Sequence, residues 1–167
     1  LTIQPASAAV TAPAEPSGFS LWRVSDGQKL GVISLPETTQ VGFLSAAELL
    51  IGNAEGLHSI NLKFGDQFGE KKTLRTGKIE RLFVSPNGKR ALIEEALPNG
   101  RWRLQLLETA TFQALSGLPC ETACKTSQVV FGADGRSVSA LAARTLLTFR
   151  DNQPSSTILR NTETAAG

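Results

Sequence analysis

The 167-residue chain has no methionine, no tyrosine, one histidine and two cysteines. Each scarcity removes a class of chemistry. A structural or catalytic zinc needs about four ligands. Cys120 and Cys124 have three residues between them, not the two of redox motifs and zinc knuckles, and His58 lies far from them in sequence. No metal site and no cofactor is expected. No apolar run reaches the roughly 18 residues of a membrane-crossing helix, so no membrane span is expected. Lysine and arginine number 17 against 15 acids, for a net charge of +2. That balance lacks the concentrated basic surface of nucleic-acid binding, and no nucleic-acid partner is expected. The missing methionine suggests a processed chain or a fragment.

Apolar residues make up 41% of the chain, an ordinary value for a folded protein. Residues 1–18 are rich in Ala, Pro and Ser and read as a linker or arm. Ala6-Ser7-Ala8 offers a second reading, the remnant of a signal-peptide cleavage region. Residues 161–167 are small and polar and read as a flexible tail. Cys120 and Cys124 fit either a local disulfide or two reduced thiols in a loop. The compartment therefore stays open between cytoplasmic and periplasmic or secreted.

Three segments share one layout across residues 19–160. The first runs from Val41 to Ile51, turns at residues 53–56, continues over 57–62 and closes at 70–74. The second runs over 80–84, turns at Ser85-Pro86-Asn87-Gly88-Lys89, and continues over 90–93. After Pro98-Asn99-Gly100 it resumes at 102–107 and closes at 112–115. The third runs over 128–131, turns at Gly132-Ala133-Asp134-Gly135-Arg136, and continues over 137–141, 145–149 and 156–159. Aligning Phe43, Phe83 and Phe131 gives offsets of about 40 and about 48 residues, near the period of a four-stranded propeller blade. The longer offset is assigned to an insert around the cysteines, expected to lie outside the core. Asn87-Gly88 and Asp134-Gly135 supply the positive φ of tight hairpins. Residues 19–24 and 29–35 add only a half unit. The count is about fourteen strands, or about three and a half blades.

These residues carry a resemblance. Leu21-Trp22-Arg23-Val24-Ser25-Asp26-Gly27 resembles the third strand and turn of WD-repeat proteins, and Ser85-Pro86-Asn87-Gly88-Lys89 resembles their first hairpin turn. Arg23 stands where that family has Asp, and no Gly-His dipeptide precedes the units, so the family's His–Asp network is absent. Bacterial propellers of the tryptophan-docking and seven-residue-repeat kinds are similar alternatives. The resemblance implies an all-β fold: propeller blades of four antiparallel strands in an incomplete ring. Open blade faces favour association, so the expected partner is another protein or a second copy of the chain.

Catalytic patterns are weak. His58 sits in a strand, where Ser59 would point to the opposite face; a solvated or hydrogen-bonded histidine is the plainer reading. Glu94 and Glu95 also diverge on a strand. They read as solvated charges, or as partners for Arg101 or Arg103. The segment from Gly65 to Gly69 lacks a P-loop or dinucleotide pattern, and Asp66 and Asp134 lack calcium-loop spacing. No catalytic residue is assigned. Trp22 and Trp102 read as packing between blades, with exposed anchors as the alternative. In WD-repeat propellers the fourth-to-first and second-to-third strand connections share one face. That resemblance places Arg75, Lys78, Arg101 and Arg144 on such a face, as candidates for pairing with partner carboxylates.

The expected function is therefore a non-catalytic protein-interaction or scaffolding module. The alternative is the propeller portion of a larger enzyme, such as a peptidase or ATPase with its catalytic domain elsewhere. A lectin ranks last, because only two units carry Trp.

Overall fold

Short alternating apolar runs separated by glycine turns become strands throughout. The computed structural model describes residues 18–23, 25–35, 40–62, 69–120, 124, 126–134, 136–142, 144–150 and 153–158. The arm, the tail and most of the segment from Gly65 to Gly69 lie outside the described residues. Fourteen strands and no helix occur among the described residues, and the chain divides into two compact units, 1–37 and 38–167.

In the first unit, β1 (Gly18–Trp22) and β2 (Lys29–Ser34) form an antiparallel hairpin. Gly27 supplies φ +68 at the turn. Asp26 accepts from the Gln28 amide at 3.0 Å and pairs with Arg23 at 2.9 Å. The Gln28 amide, more than the Arg23 charge, holds the Asp26 carboxyl below its usual range. Trp22 is 58% exposed, with the Lys29 ammonium 5.9 Å from its ring centroid. Within its own hairpin the ring finds no core to pack against. Its strand belongs to a sheet of only two strands, and such a hairpin offers little surface to bury a ring.

The second unit holds three four-stranded sheets. Sheet I comprises β3 (Gln40–Ser45), β4 (Glu48–Gly52), β5 (Gly56–Asn61) and β6 (Lys71–Thr76). Sheet II comprises β7 (Ile79–Val84), β8 (Arg90–Ala96), β9 (Trp102–Glu108) and β10 (Ala114–Cys120). Sheet III comprises β11 (Thr126–Phe131), β12 (Ser137–Ala142), β13 (Thr145–Arg150) and β14 (Gln153–Ile158). Every strand pairs antiparallel with its successor inside its sheet, and the sheets stack in sequence order without closing into a ring.

Side-chain oxygens set the first hairpin turns of sheets II and III. Asn87 Oδ1 accepts from the Lys89 amide at 3.0 Å and the Ser85 hydroxyl at 2.8 Å. Asp134 Oδ1 accepts from the Arg136 and Ser137 amides and the Ser137 hydroxyl. Those donors, led by the Arg136 amide, hold the Asp134 carboxyl below its usual range. In sheet I the turn falls at Ala46-Ala47, dividing the run from Val41 to Ile51 into two strands.

Sheet II lies between the other two. Ala91, Ile93 and Leu107 bury against Leu50 and Leu57 of sheet I. Leu92, Leu104 and Leu106 bury against Val138, Ala140, Leu147 and Phe149 of sheet III. Covering both faces explains why residues 91–95 are continuously buried instead of alternating. Each fully buried aliphatic side chain contributes about 1.5–3 kcal/mol before the entropy of ordering is subtracted. The far face of sheet III is open: Val130 is 66% exposed, in a row with Ser139, Thr148 and Ser155. The equivalent row of sheet II, Phe83, Leu92, Leu106 and Ser116, includes Leu92 and Leu106 in the core shared with sheet III.

Two sequence expectations need correction. Phe112 does not open a strand; it sits at φ +54 in the turn before β10. The strand instead runs on through Gly117 and Pro119 to Cys120. Proline is tolerated there because β10 is the outermost strand of its sheet, with one edge unpaired. The cysteines are likewise not in an insert outside the core. They form a disulfide, with Cα atoms 5.7 Å apart. Cys124 is buried in the core between sheets II and III, and Cys120 packs against it.

Candidate interaction face

One end of the three sheets is built from the turns at residues 53–55, 77–78, 97–101 and 144. Backbone bonds knit it together. Ile79 N–H donates to the Asn53 carbonyl at 2.8 Å, and Ala96 N–H to the Lys78 carbonyl at 2.9 Å. Asn53 is buried, and its Oδ1 accepts from the Glu55 and Gly56 amides. On the other side of sheet II, the Thr126 amide donates to Glu94 Oε2 at 3.2 Å.

The four cations singled out from the sequence come to this end but do not act alike. Arg101 and Arg144 are exposed. Lys78 is also exposed; its ammonium lies 2.9 Å from Glu80 and 5.6 Å above the half-buried Trp102 ring. Trp102 itself packs against the core. Arg75 turns inward. Its guanidinium donates to Gln105 Oε1 at 2.6 Å and lies 3.5 Å from Glu95. A hollow of about 400 Å³ opens beside Lys78, lined by Gln40, Ala54, Ile79 and Glu80.

Glu94 and Glu95 are buried, against the expectation of solvated charges. Their strand is interior to the middle sheet, so each carboxylate meets a neighbouring sheet. The expected pairing with an arginine does occur: Arg103 Nη2 donates to Glu95 at 2.7 Å. Arg103 and Gln105 thus join the cluster, though the sequence did not single them out as partner-binding residues. The signal was cross-strand position, since Glu95 stands opposite Arg103 once the register of β8 and β9 is known.

His58 is buried, and its Nδ1 lies 3.2 Å from Thr73 Oγ1 while Nε2 has no partner among the described residues. Burial pushes its pKa down, with a smaller effect from the Lys71 charge.

No family model matches the sequence, and no curated protein matches it. Solved structures do. The chain is similar to the Dos1 propeller, with TM-score 0.56 and 15% identity over 89% of this chain and 44% of that one. It is similar to the Cps50 (Swd1) β-propeller domain of Myceliophteria thermophila, with TM-score 0.56 and 13% identity over 89% of this chain and 47% of that one. It is also similar to the dihydro-heme d1 dehydrogenase NirN, with TM-score 0.57 and 14% identity over 86% of this chain and 33% of that one. The chain spans less than half the length of each. At such identities the likeness is one of fold. Three stacked four-stranded meanders, with that likeness, identify the fold as a partial β-propeller of four-stranded antiparallel blades.

Proposed function

We infer that this chain is a non-catalytic protein-interaction module that receives a partner protein on the turn-bearing end of its blades. One observation carries the reading. At this end Lys78, Arg101 and Arg144 are exposed while Glu94 and Glu95 are buried. The end therefore offers three cations outward beside two exposed acids, Glu55 and Glu80, with Lys78 paired to Glu80, and spends Glu94 and Glu95 on internal bonds. Arginine suits partner carboxylates through its planar fork of donors.

Replacing Arg101 with a photo-crosslinking amino acid tests it, with Asn87 at the opposite end as the control position. A specific protein captured in cells from position 101 and not from 87 is the expected result. Capture of the same proteins from both positions, or from neither, overturns the reading. A second reading, the propeller portion of a larger enzyme, takes its support from the similarity to NirN. In that case the cross-link from position 101 would fall within one polypeptide that also carries a catalytic domain.

A further inference from the structure

Glu95 is one carboxylate shared by two guanidiniums. Arg103 Nη2 lies 2.7 Å from it and Arg75 Nη2 lies 3.5 Å from it. The fourth group in the cluster, Gln105, is neutral and accepts from Arg75. The Glu95 side chain is 7% exposed, and those of Arg75 and Arg103 are 23% and 34% exposed. The backbone at Gly77 passes close to Glu95: a Cβ there would stand 3.4 Å from Oε1. Nearby acids are engaged elsewhere. Glu80 pairs with Lys78, Glu55 pairs with Lys71, and Glu94 meets the Thr126 amide.

Among the described residues the cluster therefore holds two positive charges against one negative, in a half-buried place. Charge removed from water is costly unless paired. A guanidinium also carries five N–H donors, and Arg103 Nε is buried without a hydrogen-bond partner among the described residues. One guanidinium is enough to neutralise Glu95; the second leaves the cluster with a net positive charge.

We propose that the Arg75–Glu95–Arg103 cluster binds a carboxylate of an acidic segment of the partner protein. The partner's carboxylate accepts from the solvent-reachable N–H groups of these two partly exposed guanidiniums. A phosphate polymer fits less well. Glu55 and Glu80 are exposed on the same end, and such a polymer is held by many cations along a continuous surface. Single carboxylates spaced along a peptide avoid those acids. The proposal rests on the interaction-module reading and names the chemistry of its partner.

The probe is a synthetic peptide of alternating Glu and Gly, compared with its Gln counterpart and with inorganic phosphate, using the full chain and isothermal titration. The Glu peptide should bind and weaken with added salt, while the Gln peptide should not bind. Arg103→Gln and Arg75→Gln each leave Glu95 with one guanidinium, so each should fold, as circular dichroism will show. Each should weaken the peptide by about tenfold or more, the usual effect of losing a charge-assisted hydrogen bond. Arg90→Gln, at the far end of β8, should bind as the parent does. Glu95→Gln removes the competing acid and should bind the peptide more tightly. The proposal is overturned by no binding of the Glu peptide at about 1 mM, a range of weak affinity. It is equally overturned by equal binding of the Gln peptide, stronger binding of phosphate, or equal loss in Arg90→Gln. A position-specific cross-link from residue 101 beside a negative peptide result would sink the carboxylate site alone and leave the module standing.

Discussion

Reducing the Cys120–Cys124 bond should lower the melting temperature by about 4–8 °C. The bond joins residues four apart in sequence. For so short a loop the chain-entropy relation gives about 2 kcal/mol. In a chain of this size each kcal/mol moves the melting point by about 2–4 °C. A second effect is separable. Cys124 is buried among Leu92, Leu104, Val138 and Phe149, so removing its sulfur also removes packing, about 1 kcal/mol for a group of methylene size. Reduction loses the first contribution and keeps the second; replacing both cysteines by alanine loses both. Thermal unfolding followed by circular dichroism, with and without a phosphine reductant, distinguishes them. The expected order is oxidised parent, then reduced parent, then Cys120→Ala/Cys124→Ala, with the double variant insensitive to reductant. A parent that melts at the same temperature with and without reductant would refute the loop-closure reasoning. A double variant as stable as the oxidised parent would refute the burial of Cys124.

Phe149→Ala should cost about 3–5 kcal/mol, because Phe149 is fully buried between sheets II and III; Trp22→Ala should stay within about 0.5 kcal/mol, and urea titration compares them. Gly88→Ala should destabilise more than Gly100→Ala. Both glycines have positive φ, at about 1–2 kcal/mol for an L side chain, but a Cβ at Gly88 would also strike the Leu44 carbonyl while Gly100 has open space. Stability should fall from pH 7.5 to pH 5.5. His58 is the only histidine and its folded pKa is lowered, so the unfolded chain binds more protons as pH drops through about 6.5. The contribution is complete above the unfolded value and lost below it. Urea titrations at the two pH values should show the fall in the parent and not in His58→Asn; an equal fall in both would exclude His58 as its source.

The candidate face was half legible before the structure. The WD-repeat resemblance placed Arg75, Lys78, Arg101 and Arg144 together on one face, and Lys78, Arg101 and Arg144 are exposed there. Arg75 lies one residue inside the end of β6, and only the stacking of sheet I on sheet II turns it toward Glu95 and Gln105. Arg103 and Glu95 are eight residues apart in sequence and meet because the β8–β9 register sets them opposite each other.

Local chemistry is enough to determine the fourteen strands, the four-strand period and the hairpins at Asn87-Gly88 and Asp134. Alternation, turn residues and positive φ act over a few neighbours and need no partner. Which side of a strand is dry is a different matter. Residues 91–95 read as a strand ending in two solvated acids; two covering sheets make all five buried. Pro119 and Gly117 read as loop; an unpaired outer edge lets them stay in β10. Phe83 and Phe131 were aligned as equivalents, yet the hairpin registers pair Val84 with Ala91 and Phe131 with Val138. Phe83 is thus one position out of step, and both rings reach the same core between sheets II and III from opposite sides. A shift of one residue exchanges the faces of a strand, and only the stacking of whole sheets decides which face is buried.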